Sequence, residues 1–161
     1  MRRINVIGSS GSGKSTFSSA LAEALHIPHI EMDALFWQPN WTESDDETFF
    51  ASLRKATAGE AWVLDGNYSR SVDIKWARAD TVIWLDYSFW RTLTQLLRRS
   101  FQRAWSGREV WAGTNNRETF GKLFGSRDSI LWWMLTTYGP KKRRYQKLFA
   151  QNSYDDIQFI H

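Results

Sequence analysis

The chain has 161 residues, 42% of them hydrophobic and 24% charged, with no cysteine and a formal net charge of +4. Those proportions suit one globular domain and exclude a disordered tail or a collagen-like repeat, and the lack of thiols excludes disulfide frameworks, zinc ribbons and thiol catalysis. No apolar run reaches the ~18 residues of a membrane span. The stretch Ile4-Asn5-Val6-Ile7 before Gly8 is too short for a secretion signal, so the expected location is the cytoplasm.

Charge is uneven along the chain. Residues 1–86 carry eight Lys/Arg against twelve Asp/Glu, whereas residues 87–150 carry thirteen against three. A basic second half fits an anionic partner, either nucleic acid or a phosphorylated small molecule, and it also fits an ordinary solvated helical face.

In chain order, Arg3-Ile4-Asn5-Val6-Ile7 reads as a β-branched strand running into glycine-serine turn chemistry. Phe17, Ala20, Leu21, Ala24 and Leu25 then recur at helical spacing from Lys14 to about His26, with Pro28 as a stop. His29–Met32 reads as a weak second strand. Ser44 with Glu47 three residues on predicts a capped helix, with Phe49, Phe50 and Leu53 on one face and Gly59 as its end. Ala61–Asp65 and Thr81–Asp86 are apolar runs closed by aspartates, as in strands buried on both faces of a parallel sheet. Residues 88–104 and 127–149 look helical, the second interrupted by Gly139-Pro140, and Asp156–Ile160 returns to strand. The alternation predicts an α/β fold with a parallel sheet and right-handed crossovers, in one domain spanning 1–161, with residues 91–150 as a helical lid portion inside it.

The chemistry is carried by Gly8-Ser9-Ser10-Gly11-Ser12-Gly13-Lys14-Ser15-Thr16, which fits G-x-x-x-x-G-K-[ST] in full. The glycines let backbone N–H groups turn inward around phosphate oxygens, and the following helix offers its N-terminal amides and dipole to the same anion. Lys14 is expected on the β- and γ-phosphates, the Ser15 hydroxyl on Mg²⁺ and Thr16 at the α-phosphate. An acid at a neighbouring strand end should complete the Mg²⁺ site. Asp65 and Asp86 both qualify. Asp65 is favoured by the turn Gly66-Asn67-Tyr68 that follows it, and Asp86 is more simply read as a cap for the next helix.

With that loop, Asp33 and Asp65-Gly66-Asn67-Tyr68-Ser69-Arg70 in view, the chain resembles the small P-loop kinases, adenylate kinase and shikimate kinase among them. Through Ile30–Trp37, Val63–Ser69 and Asn116-Arg117-Glu118 it resembles more closely the bacterial group labelled DNA topology modulation proteins. The resemblance implies a three-layer α/β/α P-loop NTPase fold, a five-stranded parallel sheet in the order 2-3-1-4-5, a helical lid insertion, and use of Mg²⁺ with ATP or another purine triphosphate. It also implies Asp65 on Mg²⁺, Asn67 and Arg70 on the acceptor side, Asp33 near the acceptor hydroxyl, and Arg99 and Arg103 on the transferring phosphoryl group. The chain closes at His161 on its fifth strand, where the resemblance implies a further adenine-contacting loop and a final helix.

Among the ten tryptophans, Trp62 and Trp84 fall in strands and belong to the core. Trp37 and Trp41 flank a turn where an acceptor would sit, as pocket lining or as plain packing. Trp132-Trp133 are expected to pack a helix on the sheet. Lys141-Lys142-Arg143-Arg144 reads as a solvated face first, a lid contact to phosphate second. His26, His29 and His161 make no metal-ligand spacing. The expected activity is Mg²⁺-dependent phosphoryl transfer to a small acceptor. The alternative is a nucleotide-dependent ATPase acting on DNA through the basic second half, although no nucleic-acid-binding motif is present.

Overall fold

The computed structural model describes residues 1–121, 130–151, 154 and 156–161. In chain order its elements are β1 (Arg3–Gly8), α1 (Lys14–Leu25), β2 (His29–Glu31), α2 (Met32–Phe36), β3 (Trp37–Gln38), β4 (Thr42–Glu43), α3 (Asp46–Ala56), β5 (Trp62–Asp65), α4 (Val72–Trp76), β6 (Thr81–Leu85), α5 (Phe89–Ser106), α6 (Ile130–Gln151) and β7 (Gln158–Ile160).

The apolar runs become the middle of one sheet. Strand β1 is central and pairs in parallel with β5 and β6, while β2 lies outside β5 and β7 outside β6. The order is β2-β5-β1-β6-β7. Counting only this sheet's strands along the chain, that is the expected 2-3-1-4-5. Alternate side chains divide between two cores, as the strand period requires. Trp62, Leu64, Val82 and Trp84 face one with Phe36 and Phe49, and Val63 and Ile83 face the other with Ile4, Val6 and Ala22. Continuous burial along β5 reflects helices on both sides.

Several local expectations are corrected. Helix α1 meets the sheet through Ser18 and Ala22, whereas Phe17 and Leu25 are 38% and 40% exposed. Small residues at the contact let the helix lie close to the strand that feeds it. Helix α3 is capped by Asp45, whose carboxylate accepts from the Thr48 amide at 2.8 Å, and not by Ser44, which is buried. That helix ends at Ala56, short of Gly59. Gly139-Pro140 does not interrupt α6, which runs through Pro140; one absent N–H costs the helix a single internal hydrogen bond there. Trp132 is 51% exposed, so it does not pack on the sheet, and the Trp133 side chain lies outside the described residues. The antiparallel pair β3–β4 and the short helices α2 and α4 were not signalled by periodicity, each being too short to show one.

Candidate active site

The loop from Gly8 to Gly13 leaves the buried end of β1 and enters α1. Gly11 has φ +84°, and a Cβ there would stand 2.7 Å from the Thr92 carbonyl oxygen and 2.8 Å from the Leu96 Cβ. Helix α5 therefore presses on the loop, and only glycine permits that approach. The Ser12 amide donates to the Ser9 carbonyl at 3.1 Å, and Lys14 Nζ donates to the same oxygen at 3.0 Å. Burial lowers the Lys14 ammonium below the ordinary lysine range; Asp65 and Asp33 pull it back up, and Arg99 opposes them.

Asp65 ends β5 beside this lysine, 7% exposed. The Ser15 hydroxyl donates to its carboxylate. Burial raises the Asp65 carboxyl above its usual range, while the Lys14 charge and the Ser15 hydrogen bond lower it. Its Oδ1 is buried and has no hydrogen-bond partner among the described residues. Gly66 follows with φ +145°, and a Cβ on it would strike Met32 at 2.7 Å, so this turn is closed against the first residue of α2. Asn67 serves the loop: its Nδ2 donates to the Gly8 carbonyl at 3.0 Å, and it also hydrogen-bonds with the Tyr145 hydroxyl.

Asp33 sits in the first turn of α2, one residue past Met32, and not on strand β2. It is exposed toward the site, and one of its oxygens accepts from the Tyr68 hydroxyl at 2.8 Å. Arg70 is ion-paired to Asp46 at 2.9 Å and lies over the Phe36 ring at 5.1 Å. Trp37 packs edge-on against Phe36 and Trp41, and Trp41 against Trp111. The Trp111 indole donates to Glu31 at 3.2 Å.

On the other side, α5 brings Arg99 over the loop three residues beyond Leu96. Burial, and then the neighbouring Arg103 charge, lower the Arg99 guanidinium, with Glu118, Asp33 and Asp65 acting in the opposite direction. Its Nε is buried without a partner among the described residues. Arg103 is already engaged: its Nη1 donates to the buried carboxylate of Glu118 at 2.9 Å. The basic run on α6 divides. Lys141 lies between Tyr138, whose hydroxyl donates to the Tyr87 carbonyl at 2.7 Å, and Tyr145, which reaches Asn67, so it faces the site. Burial and the Lys14 charge lower Lys141 to about 8, and Asp33 raises it. Lys142 pairs with Asp86 at 2.7 Å, and Arg143, Arg144 and Lys147 line an open groove with Pro140 and Leu148. Asp86 is engaged by Lys142 and does not cap α5, whose N-cap is Ser88.

Of the residues singled out from sequence, the fold gathers Lys14, Ser15, Asp65, Asp33 and Arg99. It commits Asn67 to the loop and ties Arg70 and Arg103 to carboxylates. Tyr68 and Glu118 were missed, and Lys141 was read only as part of a four-residue basic block whose second reading was a lid contact to phosphate. The spacing of Tyr138, Lys141 and Tyr145 on one helix face was the available signal for Lys141. A hydroxyl and a half-satisfied buried carboxylate beside the loop are hard oxygen donors, and they fit Mg²⁺. Among the described residues no three His, Asp or Glu side chains cluster, so phosphate oxygens and water would supply the remaining ligands.

No known family model matches the chain. It is 30% identical over 119 residues to the uncharacterized protein YqaC of Bacillus subtilis (strain 168), a match covering 73% of this chain and 66%, just under two thirds, of that protein. Shikimate kinase from Bacteroides thetaiotaomicron superposes on 99% of this chain and 85% of its own, with a TM-score of 0.59 at 15% identity. A gluconokinase from Sinorhizobium meliloti 1021 covers 94% and 97%, with a TM-score of 0.47 at 19% identity. The α/β fold, a five-stranded parallel sheet flanked by helices, is the one seen in that shikimate kinase. Among the described residues no helix is long and apolar enough to cross a membrane.

Proposed function

We propose that the chain is a Mg²⁺-dependent phosphotransferase that passes the γ-phosphoryl group of ATP, or of another purine triphosphate, to a small acceptor bound beside Asp33. The grouping that carries this reading is Lys14, Ser15 and Asp65, a cation and two hard oxygen donors around a complete phosphate loop, with the Asp65 Oδ1 left open. In this reading the loop amides from Gly8 to Thr16 bind the phosphates, and Lys14 exchanges the Ser9 carbonyl for a phosphate oxygen. Ser15 and Asp65 hold the metal, which supplies charge neutralisation between phosphates when bound. Arg99 meets the transferring group from α5, and Lys141 adds a positive charge from α6. Residues 91–150 act as the lid, and most of the catalytic effect is positioning and electrostatics.

Asp33 orients the acceptor hydroxyl and takes its proton. Where the acceptor is itself a phosphate, Asp33 orients only. Trp37 walls that side. Arg70 reaches an acceptor anion by releasing Asp46, an exposed pair that is cheap to open.

The test is calorimetric titration of the protein with Mg·ATP, followed by ATP consumption in the presence of nucleoside monophosphates and small hydroxylated metabolites, shikimate among them. Binding and acceptor-stimulated turnover are expected. Lys14→Ala should keep the fold and lose turnover by at least about a hundredfold. Turnover unchanged in that variant overturns the assignment.

A further inference from the structure

Arg99 and Arg103 stand four residues apart on α5, so their side chains leave the same face of the helix. That helix is pinned to the phosphate loop at Thr92 and Leu96. Behind the two arginines, on the segment that returns from α5, stands Glu118, 5% exposed. Its Oε1 accepts from Arg103 Nη1 at 2.9 Å. Its Oε2 is buried with no hydrogen-bond partner among the described residues, and Arg99 Nε is a buried donor in the same condition. The two groups lie within electrostatic reach of each other.

A carboxylate lacking one donor beside a guanidinium lacking one acceptor is a complementary pair. A guanidinium carries five N–H donors in a planar fork. A carboxylate on the Nε edge leaves the Nη edge for a second anion, and it fixes the plane in which that anion is met.

We propose that Glu118 is a positioning residue that makes Arg99 and Arg103 into one clamp, with Oε1 on Arg103, Oε2 taking the Nε–H of Arg99, and the free guanidinium edges turned toward the transferring phosphoryl group. This rests on the phosphotransfer reading above. Glu118 also cancels one of the two positive charges in the waiting site. It therefore has opposite effects on two observables: it weakens ground-state attraction for the triphosphate and it speeds transfer by alignment. A carboxylate that only stabilised the fold would move both the same way.

The experiment measures the Mg·ATP dissociation constant by calorimetry and the rate constant of ATP turnover on wild type, Glu118→Gln and Glu118→Asp. Glu118→Gln keeps the shape and removes the charge. It should bind Mg·ATP about threefold more tightly and turn over about tenfold to a hundredfold more slowly, as loss of an orienting partner does. Glu118→Asp keeps the charge and withdraws the oxygens by one methylene. It should lose turnover with binding unchanged, and it decides the matter if the Gln variant does not fold. In a background carrying both Arg99→Met and Arg103→Met, Glu118→Gln should cause little further loss of rate. Unchanged turnover in both single variants, or rate loss with equally weakened binding, overturns the clamp and leaves the phosphotransfer reading standing. A wild type that binds no Mg·ATP overturns that reading and the clamp with it.

Discussion

The hydroxyl of Tyr68 donates to one oxygen of Asp33 at 2.8 Å, which leaves the other oxygen of an exposed carboxylate whose charge acts on Lys14. Burial, reinforced by the Asp33 charge, holds the Tyr68 phenol far above its usual range, so it remains a donor at every working pH. The pair then behaves as a carboxylate held in one orientation by a tyrosine that never titrates. In the proposed reaction the free oxygen receives the acceptor hydroxyl. Asp33→Asn should lower acceptor-stimulated turnover by about a hundredfold or more while leaving the Mg·ATP dissociation constant within about twofold. Tyr68→Phe leaves the charge and loosens its aim, and a loss of about tenfold is expected. If Asp33→Asn weakens Mg·ATP binding as much as it slows transfer, the residue is structural and the acceptor does not sit there.

At the scale of elements, the segment returning from α5 is fastened to the β3–β4 hairpin. Asn116 is fully buried between them: its Oδ1 accepts from the Trp41 amide at 2.6 Å and its Nδ2 donates to the Gln38 carbonyl at 3.1 Å. The Asn40 amide reaches the Thr114 carbonyl at 2.9 Å, and Trp111 reaches Glu31. The β3–β4 hairpin and the return segment are one unit. Asn116→Ala removes two part-buried hydrogen bonds made by a fully buried side chain, and unfolding by urea should show a loss of about 1–3 kcal/mol. A loss within about 0.5 kcal/mol, the range of ordinary surface changes, would mean that the fastening is dispensable. None of this was legible in the sequence. Asn116 and Glu118 carry no spacing rule, because their partners lie in other elements and the contacts are single hydrogen bonds. What could be read was whatever depends on local backbone chemistry or on burial from both sides: the loop at Gly8–Thr16, the β5 and β6 runs, and Asp65 as a strand end. Helical faces were readable only in part. Side-chain size misassigned α1, whose close seat selects Ser18 and Ala22, while the register of Tyr138 and Tyr145 on α6 held the clue to Lys141.

Across the whole molecule, three cations of the basic second half are ion-paired among the described residues: Lys142 with Asp86 of the first half, Arg103 with Glu118 and Arg117 with Glu109. The costly charge lies in the other half. Lys75 on α4 is 1% exposed, and its Nζ makes one long hydrogen bond, 3.4 Å, to the Gly66 carbonyl, which Asn5 Nδ2 also holds at 3.1 Å. Burial, and then repulsion from Arg144, lower Lys75 from 10.5 to about 7. Between those values the unfolded chain carries a proton that the folded chain does not, so unfolding takes up a proton and stability rises with pH. The penalty is constant below about 7, shrinks as pH climbs, and is gone above 10.5. Lys141, lowered to about 8, adds to the slope in the upper part of the same window. Urea unfolding between pH 7 and 10 should therefore show stability increasing, with Lys75 contributing up to about 1.4 kcal/mol per pH unit. Lys75→Met keeps most of the volume and removes the charge. It should be more stable than wild type at pH 7 and leave only the shallower rise due to the other lowered lysines, Lys141 and Lys14. A wild-type profile that is flat or falls over this range, or a Lys75→Met profile as steep as wild type, would show that the ammonium finds water or a counter-charge beneath Gly66.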